Sequence, residues 1–169
     1  HLSIRRQRQM CIRDSAYTIT IAASDATGST ASELTAIDNA TSVTVDVSAI
    51  TSIEGTYGEI TALYGSSGVS GFGDESITIT GDSLTVLEAN AIDALTTGVV
   101  TASIVTTEIV DSLATLTGTN NSYTITIAEA DATGSTAAEL NTIDAATTVT
   151  IDAGEITGCL LYTSDAADE

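Results

Sequence analysis

Residues 17–51, YTITIAASDATGSTASELTAIDNATSVTVDVSAIT, return as residues 123–157, YTITIAEADATGSTAAELNTIDAATTVTIDAGEIT, without a gap and with 24 of 35 positions identical. A diverged copy, SITITGDSLTVLEANAIDALTTGVVTASI, lies between them at residues 76–104. An Ile-Asp pair marks each copy, at Ile37-Asp38, Ile92-Asp93 and Ile143-Asp144, which sets a period of about 53 residues. A repeat of this size cannot bury its own apolar face. It must stack on its neighbours, so the packing problem solved once is solved at every copy.

Each copy holds two strand-like runs. YTITI, VTVDV, SITIT, VVTAS, YTITI and VTID alternate β-branched apolar residues with Thr or Asp, as a strand with one buried face does. Between them four Thr-x-x-Glu boxes, Thr30/Glu33, Thr56/Glu59, Thr85/Glu88 and Thr136/Glu139, predict helix starts. Apolar residues also recur at helical spacing (Leu34/Ile37, Ile60/Leu63, Leu140/Ile143, Ile109/Leu113/Leu116). Strand, short helix, strand, short helix at about 25 residues per coil predicts an α/β fold, a parallel repeat solenoid with right-handed crossovers. The alternative is an all-β solenoid in which the helix segments are loops. Ile19, Ile21, Val43, Val45, Ile77, Ile79, Ile125, Ile127, Val149 and Ile151 are expected to face inward. Thr18, Thr20, Thr44, Asp46, Thr78, Thr80, Thr124, Thr126, Thr150 and Asp152 are expected to face out.

The two ends do not belong to this pattern. RRQRQMCIRDS (Arg5–Ser15) and CLLYTSDAADE (Cys159–Glu169) are translations of one DNA sequence read on opposite strands, which neither folding nor selection produces. That DNA resembles the transposon adapter used to prepare fragments for sequencing. Residues 1–15 and 159–169 are therefore read as non-native, leaving 16–158 as a fragment of a repeat array with copies near 17–75, 76–122 and 123–158.

Removing the ends sharpens the composition. Ala16–Gly158 contains no Lys, Arg, His, Cys, Met, Pro or Trp, and setting aside Asp14, Asp165, Asp168 and Glu169 leaves it 19 of the 23 carboxylates. Nucleic-acid binding by phosphate neutralisation needs cationic side chains, and so does attachment to an anionic membrane surface. Both are excluded, as is membrane insertion, because Thr, Ser, Gly and Asp interrupt every apolar run. Thiol and imidazole chemistry fall away with their residues. Unpaired negative charge at this density opposes compaction unless salt screens it or divalent cations bridge it. Either route points to a saline exterior, with the chain extracellular or at a cell surface.

Three motifs invite a sharper chemistry. DATGST (Asp25–Thr30 and Asp131–Thr136) looks like the aspartic-protease loop, but an Ala separates Asp from Thr, so a helix-capping turn is the better reading. GVSGFGDES (Gly68–Ser76) resembles part of the glycine- and aspartate-rich calcium repeat of RTX proteins, with the Asp one place early and a single occurrence. Calcium accepts carboxylate, carbonyl and water oxygens, and Asp74, Glu75 and Asp82 are the carboxylates named for it. No other cofactor is implied. The outward Thr-x-Thr ladder resembles that of ice-binding solenoids, though Asp46 and Asp152 interrupt it. A carboxylate-pair hydrolase needs two acids converging in a cleft, and no spacing here points to one.

AAELNTIDAATTVTIDAGEITG and ASELTAIDNATSVTVDVSAITSIEGTYGEITALY resemble repeat units of very large Thr-, Ala- and Asp-rich surface proteins of marine bacteria, cyanobacteria among them. The resemblance covers nearly all of Ala16–Gly158 and implies secretion, great length and an adhesin-like role, often beside calcium-binding repeats. It brings no catalytic residue. The expected function is a structural spacer or adhesive stalk without catalysis, whose partners are neighbouring repeats and cations.

Overall fold

The computed structural model describes residues 16–22, 27–128, 133–154, 156 and 158–160. They fall into two compact units. One comprises the described residues up to Asp82 with Ala94–Val100, and the other Ser83–Asp93 with the described residues from Thr101 onward.

In the first unit the chain runs β1 (Ser29–Thr30), α1 (Ala31–Asp38), β2 (Val45–Asp46), β3 (Ser52–Gly55), α2 (Tyr57–Tyr64), β4 (Val69–Ser70) and into β5 (Ser76–Leu84). β1, β3 and β5 pair in parallel at a constant step of 24 residues, Ser29 with Ile53 and Ile53 with Ile77. β2 and β4 form a second parallel pair at the same step, Val45 with Val69, and an isolated bridge joins Thr20 to Asp46. α1 packs on α2 and β3. Leu34, Ile53, Ile60, Leu63, Ile77 and Ile79 form the core between helices and sheet, with Val45 and Val69 buried on the other strand pair and Val47 and Ile50 buried just after β2. At about 25 cal/mol per Å² of apolar surface, burying such side chains is the dominant favourable contribution.

The second unit holds α3 (Val86–Asp93), β6 (Val100–Ile104) from Thr101 onward, α4 (Val110–Leu113), β7 (Ser122–Thr124), β8 (Thr133–Thr136), α5 (Ala137–Ala146) and β9 (Gly158–Leu160). β6 and β7 pair in parallel, Ala102 with Tyr123, and further parallel bridges join Asn121 to Thr147 and Thr126 to Asp152. α4 packs on α5. Ile92, Ala102, Ile104, Leu113, Tyr123, Ile125, Ile127 and Ile143 are buried.

The fold is thus α/β, with mostly parallel pairing and short helices, and the all-β alternative is overturned. All four Thr-x-x-Glu boxes start a helix. In each, the Glu amide donates to the Thr hydroxyl and the Thr amide donates to the Glu carboxylate, at 2.8–3.3 Å. These reciprocal bonds satisfy amides that a helix start otherwise leaves without partners.

The strand pattern needs correction. One strand per helix was expected, yet the segment between α1 and α2 holds two, β2 and β3. Asp46 splits them: its carboxylate accepts the Ser48 amide at 2.9 Å, an Asx turn that bends the chain. Gly71, at φ 95°, packs beside this turn, where a Cβ would stand 2.7 Å from Asp46 Oδ1. Ile109, read as the first residue of a helical apolar stripe, is 48% exposed at the N-cap of α4, and Val110 is buried in its place. Val149 is also exposed, while Ile19, Ile21, Val43 and Ile151 are half-buried rather than enclosed. Residues 159–160, set aside as non-native, lie in β9 and pair with β8. Backbone donors and acceptors on a strand edge pair with whatever extended chain is at hand, whatever its origin.

Candidate functional site

The Gly68–Ser76 loop carries the most unusual side chain of the described residues. Glu75 is 2% exposed, and Ala16–Gly158 contains no Lys, Arg or His to pair with it. Donors hold it instead: the Gly73 amide at 2.8 Å on one carboxylate oxygen and the Tyr64 hydroxyl on the other. Its backbone carbonyl accepts the Thr96 hydroxyl at 2.6 Å. Tyr64, at the end of α2, stacks on Phe72 with ring centroids 4.2 Å apart. Burial first, then the hydrogen bond and the charge of Glu75, push the Tyr64 phenol above its ordinary value, so it stays a donor to the carboxylate.

The other two carboxylates named for calcium stand apart from this arrangement. Asp74 is exposed beside Glu75, and Asp82 is exposed on β5 just after Gly81, at φ 82°. Among the described residues no three His, Cys, Asp or Glu come together as a metal-binding group. What the loop does visibly is lock α2 to the strand that follows, through Tyr64, Phe72 and Glu75. Of the duplicated DATGST, Asp25 and Asp131 lie outside the described residues, while Thr30 and Thr136 cap α1 and α5 as expected. The outward Thr-x-Thr residues Thr18, Thr20, Thr44, Thr80, Thr124 and Thr150 are exposed, with Thr78 and Thr126 half-buried.

The Ile-Asp pair acquires a role here. Asp38 accepts the Ser66 hydroxyl at 2.7 Å, 28 residues along the chain. Asp93 accepts the Asn121 side-chain amide at 2.7 Å, also 28 residues on, and the Thr117 hydroxyl at 2.9 Å. Gly118, at φ 79°, lets the chain pass close by, since a Cβ there would lie 2.6 Å from Asp93 Oδ1.

A second device, missed in the sequence, follows the helices. The hydroxyls of Thr41, Thr96 and Thr147 donate to the carbonyls of Tyr17, Glu75 and Tyr123, 21–24 residues earlier, at 2.6–2.8 Å. Each hydroxyl also accepts the amide two residues on, at Val43, Gly98 and Val149. Thr-x-Val and Thr-x-Gly just after α1, α3 and α5 were the available signal, readable as hydroxyl turns. Their distant partners were not readable.

Asp38, Asp93, Thr41, Thr96 and Thr147 thus bond backbone or polar groups 21–28 residues away. They anchor structure; no two carboxylates are drawn into a shared cleft by these bonds. No helix of the described residues is long and apolar enough to cross a membrane. No protein-family model, curated protein or solved structure matches the chain.

Proposed function

We propose that this chain is a segment of a parallel solenoid in a large, acidic, extracellular repeat protein, acting as a spacer or adhesive stalk without catalysis. One observation carries the reading: the recurring polar side chains Asp38, Asp93, Thr41, Thr96 and Thr147 each bond across 21–28 residues, close to the 21–26 residues that separate paired strands. A stalk needs coil held to coil at every level, and these bonds supply it with side chains of low bulk. The exposed Thr and carboxylates keep the surface wet, while dissolved ions screen a net charge of −19. Neighbouring repeats are its first partners.

Thermal unfolding followed by circular dichroism, in EDTA with sodium chloride and then in calcium at matched ionic strength, tests this. Screening alone predicts equal midpoints. A rise specific to calcium would sink the passive stalk in favour of a calcium-dependent adhesion module, with Asp74 and Asp82 the carboxylates to replace first.

A further inference from the structure

The two copies, identical at 24 of 35 positions, differ in what covers them. Tyr123 is fully buried and Ile125 and Ile127 are each 1% exposed, with β6 paired alongside, Ala102 opposite Tyr123. At the same repeat positions Tyr17 is 60% exposed, and Ile19 and Ile21 are half-buried. The helices repeat the contrast: Ile143 on α5, which packs on α4, is fully buried, whereas Ile37 on α1 is half-buried. Beside Ile37 lies a cavity of about 490 Å³ lined by Ile21, Gly28, Leu34, Ala36 and Ile37, among others. The Tyr123 copy displays what covers such a face: a strand with the pattern of β6, followed by an apolar turn of helix with the pattern of α4.

We infer that the face formed by Tyr17, Ile19, Ile21 and Ile37 is a docking surface for one further strand–helix coil of the same repeat. That coil has the chemistry of Val100–Leu116: alternate small and β-branched residues (Val100, Ala102, Ile104) for the tyrosine strand, then Val110 and Leu113 for the helix face. The inference rests on the solenoid reading and names the partner that reading requires at this face.

The test appends a second copy of residues 76–122, a stretch without tyrosine, directly before Tyr17 in the full chain. Because the copies are offset by 106 residues, Tyr17 then stands after that copy as Tyr123 stands after the original. Hydroxyl-radical footprinting read by mass spectrometry should show oxidation of Tyr17 falling to the level at Tyr123, and Ala102→Asp with Ile104→Asp in the appended copy should restore it. So that the outcome does not turn on whether the appended copy folds, the peptide Val99–Asn121 added to the unextended chain should protect Tyr17 dose-dependently. Tyr17 unprotected in both formats overturns the proposal. So does protection of Tyr17 in the unextended chain alone, rising with its concentration alongside a dimer in sedimentation, since a second copy would then be the occupant. A calcium-specific midpoint would sink the passive stalk without touching this result, so the two failures are distinguishable.

Discussion

Tyr17 and Tyr123 open the same YTITI run, and the 35 residues that follow each tyrosine's start differ at only 11 positions, yet one ring is 60% exposed and the other is fully buried. The inversion at the helices is equally informative. Leu34 is buried and Leu140 half-buried, while Ile143 is buried and Ile37 half-buried. α1 packs on the helix after it, α2, and α5 on the helix before it, α4. Leu34 and its counterpart therefore serve the following helix, and Ile37 and its counterpart the preceding one. Burial in this chain follows the neighbouring strand and helix, and on the solenoid proposed above stability should divide into repeat and nearest-neighbour contributions.

The sharpest way to break that comparison is paired truncation. Tyr123→Ala should cost about 3–5 kcal/mol, the range for emptying a large aromatic site, while Tyr17→Ala should stay within about 0.5 kcal/mol, both read by urea unfolding. Equal losses would mean that the contrast in burial carries no energy. Ile125→Ala and Ile19→Ala come next: about 2–4 kcal/mol at the enclosed site and roughly 1 kcal/mol at the half-buried one.

The caps should ignore the contrast altogether. Thr30→Ala and Thr136→Ala each remove a hydroxyl acceptor within one helical turn, so both should cost about 1 kcal/mol. A twofold difference between them would show that cap strength depends on coil packing. Smallest is the effect of the Tyr123 hydroxyl, a buried group without a hydrogen-bond partner among the described residues. Burial, then the Asp93 charge, raises its pKa above the ordinary value. The folded chain therefore keeps a proton that the unfolded chain releases near pH 10, so this contribution is full below about pH 10 and is lost as pH rises further. Tyr64 acts in the same direction. Tyr123→Phe should flatten part of that alkaline decline and, at neutral pH, change stability by no more than about 1 kcal/mol in either direction. A larger loss would reveal a bond to the hydroxyl.

These outcomes also mark what could be read in advance. The four helix starts were legible because a capping box closes within four residues. The inward set held at Val45, Ile77, Ile79, Ile125 and Ile127 because alternation records the face. β3 escaped notice because Ser52–Gly55 offers one β-branched residue, Ile53, and takes its strand conformation from parallel partners 24 residues away on both sides. Ile109 was misplaced by one residue because Val110 fits the same apolar stripe. Glu75 was named for calcium on its neighbourhood in sequence. Its burial depends on Tyr64 and Gly73, contacts that no local pattern records.

Amide hydrogen exchange on the unextended chain tests the nearest-neighbour account most directly. The Ile127 amide, bonded to the Asp152 carbonyl at 2.8 Å, and its neighbours in 123–127 should exchange at the rate set by global unfolding. Residues 17–21 should exchange roughly a hundredfold faster, through local opening at the uncovered face. Equal protection of the two segments would contradict the account, because the same sequence would then be equally stable with and without a covering coil.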